Sequence, residues 1–150
     1  MLNTGIVETD STVVGTARTG LAASGYGGDK VIFGFGNASS LQNITNLVSN
    51  SGVVATDTTG VGTARKDLAA AGYGEGKAIF GFGNTSSLQN ITNLVSDTGV
   101  VSTDTTGVGT ARSGSAAAGY GGDKAIFGFG NASSLQNITN LVSNSGVVAT

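Results

Sequence analysis

The sequence has no Cys, His, Pro or Trp. Without Cys there is no disulfide framework, no thiolate nucleophile and no Cys-type zinc or iron–sulfur site. Without His the commonest general base and the commonest metal ligand are both missing. A Ser-His-Asp or Cys-His site cannot be assembled at all. Charge is scarce as well: 11% of residues are charged, against about 25% in an ordinary domain. The balance is seven basic to nine acidic residues, net −2, with no basic run, so an electrostatic nucleic-acid footprint is not expected. No apolar run reaches the 18 or so residues of a membrane-spanning helix. Met1-Leu2-Asn3-Thr4 carries neither a basic segment nor an apolar one, so no signal peptide is expected. The sequence assigns no location; a soluble chain, cytoplasmic or virion-associated, is the reading it fits. What remains is 39% hydrophobic residues and 26 Gly, a composition that favours a folded core over disorder.

A repeat organises that composition. Gly5, Gly52, Gly99 and Gly146 stand in matching contexts 47 residues apart. They define three units, 5–51, 52–98 and 99–145, in one repeat array spanning 1–150. Units two and three differ at nine of 47 positions, units one and three at eight, and units one and two at thirteen. Phe-Gly-Phe-Gly-Asn, beginning at Phe33, Phe80 and Phe127, does not vary, nor does Ser-Leu-Gln-Asn-Ile-Thr-Asn-Leu-Val-Ser from Ser40, Ser87 and Ser134. Such near-identity implies recent duplication or deliberate construction, with the changes gathered in turns and in the segment 66–68. A 47-residue unit without disulfide or metal falls near the size where a lone domain usually needs a staple, which disfavours three independent small domains. Neighbouring units are therefore expected to stack and bury a shared one.

Within unit two, Asp67-Leu68-Ala69-Ala70-Ala71-Gly72-Tyr73 reads as a small-residue strand and Gly74-Glu75-Gly76 as a tight turn. Lys77-Ala78-Ile79-Phe80-Gly81-Phe82-Gly83 reads as a strong strand with Ala78, Phe80 and Phe82 on one face. Leu88 to Val95 carries both helical spacing and strand-like length; the length and the flanking turn signals favour a strand. Ser96-Asp97-Thr98-Gly99 then reads as a hairpin into a fourth strand at Val100–Thr103. Four short strands per unit is the content of one propeller blade.

The run Arg65-x-x-Leu68-Ala-Ala-Ala, the turn, Lys77-Ala-Ile-Phe-Gly-Phe-Gly83, Leu88-x-x-Ile91, and the return to Arg112 resembles a kelch repeat over the whole chain. The resemblance implies an all-β fold of β-propeller blades, each of four antiparallel strands, three blades per chain. Kelch rings usually hold six or seven blades, and three cannot close because the inner strands would have no room. Open sheet edges invite further pairing. The resemblance therefore implies a ring closed by oligomerisation: a homodimer with six blades or a homotrimer with nine. Residues 2–9 repeat the fourth-strand segment at 142–150, so either terminus could supply the closing strand.

Few residues suggest chemistry. Asp10, Asp57 and Asp104 recur once per unit, each followed eight residues later by Arg18, Arg65 and Arg112. One reading is a polar ligand site at a channel mouth. The other is structural, with Asp holding a loop and Arg bridging blades. Asp-Thr-Thr-Gly lacks calcium-loop spacing, and the glycine runs lack the strand–glycine–helix context of a phosphate loop. Tyr26, Tyr73 and Tyr120 are expected at strand ends with their hydroxyls in water. Asn37, Asn43, Asn84, Asn90, Asn131 and Asn137 head Asn-x-Ser/Thr triplets, read as polar loop and strand positions. No catalytic residue, metal or cofactor is expected. The sequence reads as a non-enzymatic, self-assembling scaffold or binding module for a protein or glycan. The alternative is a purely structural repeat protein with no ligand, such as a virion component or an engineered model repeat.

Overall fold

The computed structural model describes Asp10 and residues 14–150. Its described elements are nine strands in three repeats: β1 (Ala22–Tyr26), β2 (Lys30–Gly34), β3 (Thr45–Val48), β4 (Ala69–Tyr73), β5 (Lys77–Gly81), β6 (Thr92–Val95), β7 (Ala116–Tyr120), β8 (Lys124–Gly128) and β9 (Thr139–Val142). Each unit folds into one antiparallel sheet, ordered β1-β2-β3, β4-β5-β6 and β7-β8-β9. The fold is all-β, with no helix among the described residues, and hence no helix long and apolar enough to cross a membrane.

Turn chemistry sets the register. Tyr26 pairs with Lys30 across Gly27 and Gly28, whose φ values of 60° and 86° are ones that glycine alone adopts without cost. Leu88–Val95 resolves as the strand that length favoured, narrowed to Thr92–Val95 and paired with β5.

The cores lie between sheets rather than within them. One cluster joins Ile32 and Phe35 of unit one to Leu68, Ala78 and Phe80 of unit two. The other joins Ile79 and Phe82 of unit two to Ala125, Phe127 and Val142 of unit three. Each first strand meets its neighbour, β1 against β4 and β4 against β7. There Gly119 approaches the Gly72 carbonyl so closely that a Cβ would lie 3.1 Å from that oxygen. The Ala-rich, Gly-bearing composition of these strands permits that approach.

Two expectations need correction. The fourth strand is reduced, in each unit, to a single bridge: Val48 with Val54, Val95 with Val101, and Val142 with Val148. Sheets of three strands, not four, result. Side chains interrupt the ladder. Asn46 and Asn93 donate through Nδ2 to the carbonyls of Ala55 and Ser102 at 3.1 Å, taking acceptors that a fourth strand would offer to backbone. As expected for three units, the described sheets form no closed ring within one chain.

The second correction concerns Phe82, which does not continue the face of Phe80. The strand ends at Gly81, and Phe35, Phe82 and Phe129 adopt φ of 62°, 64° and 60°. A bulky residue there costs about 1–2 kcal/mol, so neighbouring contacts must hold it.

Asp67 carries the same strain at φ 54°, where units one and three place Gly20 (62°) and Gly114 (63°). Its ion pair with Lys66 is 3.8 Å long and exposed, and such pairs contribute little. Asp67→Gly is therefore expected to stabilise the chain by about 0.5–1 kcal/mol, read as a higher urea midpoint.

Candidate functional site

The Asp and Arg series meet, but not at the spacing the sequence suggested. Asp57 lies against Arg18, and Asp104 against Arg65, with N–O distances of 3.8 and 4.0 Å. Each Asp thus joins the Arg that precedes it by 39 positions rather than the one that follows it by eight. The cause is local. Asp57 accepts from the Thr16 amide at 3.0 Å, Thr16 Oγ1 at 2.7 Å and Asn46 Nδ2 at 2.8 Å. Asp104 accepts from the Thr63 amide at 3.0 Å, Thr63 Oγ1 at 2.6 Å and Asn93 Nδ2 at 2.8 Å. Asp10, at the head of the series, is exposed.

Each Arg clamps two units. Arg65, with no exposed surface, donates from Nε to the Phe82 carbonyl at 2.8 Å and from Nη1 to the Thr63 carbonyl at 3.1 Å. Its Nη2 donates to Asn93 Oδ1 at 2.7 Å. Its guanidinium stacks 4.3 Å from the Phe35 ring of the preceding unit, and the Phe80 ring meets the same Phe35 edge-on at 5.2 Å. Arg112 repeats this on Phe82 at 3.8 Å, with the Phe127 ring 5.2 Å away. Every left-handed Phe with a following unit is thus held by its own Arg at the carbonyl and by the next Arg at the ring. Repetition of Thr-x-Arg and of Phe-Gly-Phe-Gly-Asn marked these positions in the sequence. The roles of Thr16, Thr63, Asn46 and Asn93 went unread, because nothing local to them announces an Asp eleven or 41 residues away.

The electrostatics follow from these bonds. Burial pushes Arg65 down to about 10, against the opposing pull of Asp104. The bonds from Thr16 and Asn46 hold Asp57 below the usual carboxylate range. For Asp104 burial works upward, but the bonds from Thr63 and Asn93 outweigh it and the net shift is down. A lowered carboxylate contributes stability that is present above its unfolded pKa, near 3.9, and lost as pH falls through the folded value. Acid titration of stability should therefore show a loss beginning below about pH 4. The Asp57→Asn, Asp104→Asn chain should be less stable at neutral pH and lack much of that loss. An unchanged acid profile would contradict this assignment.

In this site the Asp, Thr, Asn and Arg side chains are spent on bonds that position and clamp the units. Among the described residues no three His, Cys, Asp or Glu side chains converge. Tyr26 and Tyr73 are buried rather than hydrated, Tyr73 being raised by that burial, while Tyr120 is 41% exposed. A shallow concavity of about 390 Å³ runs past all three tyrosines and the glycine turns beside them.

The geometry defines a class: an all-β repeat protein whose small sheets pack side by side and are pinned by Arg–Phe stacks between units. No family model matches the sequence, and no curated protein matches it. The fold is similar to the solved structure of YjhT, with a TM-score of 0.69 at 12% identity, over 89% of this chain and 44% of that one. The chain thus spans less than half the length of that structure.

Proposed function

We propose that this chain is a kelch-like propeller fragment that closes a ring with a second copy of itself and serves as a non-enzymatic scaffold or binding module. The observation that carries the reading is that the chain's two free faces are the two halves of an interface it already builds twice. Phe35 and Phe82 are fully buried under the next unit, whereas Phe129 is 61% exposed. Phe80 and Phe127 are fully buried against the preceding unit, whereas Phe33 is 37% exposed. Arg18 is free of a preceding Phe in the same way. A second copy placed head to tail brings Arg18 and Phe33 onto Phe129, as Arg65 and Phe80 come onto Phe35. Exposed apolar surface with its complement on the same molecule drives association.

The length relation supports six blades: three units overlay 44% of the similar structure, so two chains supply about its extent. Nine blades from a trimer is the other closed arrangement. Projection images of the assembled protein by electron microscopy test the reading, with six similar lobes expected. An open string of units would contradict it. A glycan and peptide array separates a binding module from the purely structural alternative: reproducible binding supports the first, and none across the array supports the second. The missing His and Cys support a non-enzymatic role, and a broad hydrolase screen is expected to give no signal.

A further inference from the structure

The third unit repeats the carboxylate-holding geometry of the other two, but no carboxylate sits in it among the described residues. Arg112 is fully buried; its Nε donates to the Phe129 carbonyl at 2.8 Å and its Nη1 to the Thr110 carbonyl at 3.1 Å. Asn140 donates to the Ala149 carbonyl at 2.8 Å, as Asn46 and Asn93 do to Ala55 and Ser102. Yet Arg112 Nη2 and Asn140 Oδ1 are both buried without a partner. In units one and two the equivalent atoms bond each other at 2.6 and 2.7 Å.

The difference between the units is the Asp. Asp57 and Asp104 draw the Asn amide through its Nδ2 at 2.8 Å, which turns Oδ1 toward the Arg. A buried, unpaired guanidinium nitrogen is costly; in units one and two the Asn oxygen fills that place, and it does so only where an Asp carboxylate holds the Asn amide and lies beside the same Arg. Of the three repeated Asp residues, two are engaged in units one and two, and Asp10 is exposed.

We propose that Thr110, Arg112 and Asn140 form a carboxylate socket, and that Asp10 of a second copy of this chain occupies it. The Thr110 amide and hydroxyl and Asn140 Nδ2 bind the incoming oxygens, and Arg112 pairs with them while its Nη2 takes Asn140 Oδ1. The outer edge of β9 is already held by Val148 and Ala149 of the same chain, so the incoming chain engages from Asp10 onward. This contact rests on the ring reading, to which it adds a charge-specific lock.

The test is a double-mutant cycle on self-association, measured by sedimentation equilibrium of the full chain. Asp10 is exposed, so Asp10→Ala should leave the monomer folded. Losing one partner of a desolvated, hydrogen-bonded charge pair should weaken association at least about tenfold. Thr110→Val should weaken association in the Asp10 chain and have little further effect in the Asp10→Ala chain. If the parent chain associates and Asp10→Ala associates as tightly, or if the two effects add, the socket has another occupant and this inference is overturned while the ring stands. If the parent chain does not associate at all, both are overturned.

Discussion

Arg65→Ala is expected to cost about 3–5 kcal/mol of folding stability, the range for removing one partner of a buried charge pair. The loss has several parts. The Phe82 carbonyl and Asn93 Oδ1 lose buried donors, whereas the Thr63 carbonyl, on an exposed residue, loses one that water can replace. The stack on Phe35 also goes, worth about 2 kcal/mol when desolvated. Asp104 stays partly hydrated, with 27% of its side-chain surface exposed, and this keeps the total from running higher. Arg112→Ala should cost less in the monomer, because Arg112 Nη2 has no partner to lose and, among the described residues, no Asp pairs with it. Urea denaturation of the two variants at low protein concentration checks both the size and the order. Equal losses would show that the Asp–Asn arm of the clamp contributes nothing.

Glycine substitutions separate folding from association. Gly34, Gly81 and Gly128 occupy the same place in the three sheets. A Cβ on Gly34 would lie 2.8 Å from the tip of the Phe80 ring, and one on Gly81 2.7 Å from that of Phe127. At Gly128 the nearest atom is Thr139 Cγ2 at 3.4 Å, an ordinary contact. Gly81→Val should therefore overpack the interface between units two and three and cost about 1–3 kcal/mol of folding stability. Gly128→Val should fold nearly as the parent does. In the ring, however, Phe33 of the second copy takes the place that Phe127 takes on Gly81. The closed dimer carries that clash twice, so Gly128→Val should weaken dimer formation by about thirtyfold or more. A Gly128→Val chain that dimerises as tightly as the parent would place the interface elsewhere.

Much of the architecture was legible in the sequence because it is repeated. The period located the units. The glycine turns located the first hairpin of each sheet. The shortness of the unit required that cores lie between neighbours, as the cluster of Phe35, Leu68 and Phe80 confirms.

What stayed hidden depends on backbone detail that alternation cannot express. Phe80 and Phe82 sit two apart, the spacing of residues on one face of a strand. Yet Phe82 turns left-handed, because its carbonyl and its ring are gripped by two different Arg residues. Val100-Val101-Ser102-Thr103 has strand composition, but the Asn93 amide claims the Ser102 carbonyl and cuts the pairing to one bridge. The Asp–Arg relation was visible as a recurrence and misread in its offset: eight positions is the shortest separation in sequence, while the fold selects 39. The structural reading of these residues, Arg bridging units and Asp holding a loop, matches the observed bonds, and both candidate roles share the same side chains.

The central claim is that the chain's outer faces complete each other in a second copy, and its solution mass tests this most directly. Sedimentation equilibrium across a hundredfold range of concentration, at moderate salt, should converge on twice the chain mass of 14.6 kDa. A trimer would keep the closing contact and change the ring size. A single species at 14.6 kDa at every concentration would contradict the account.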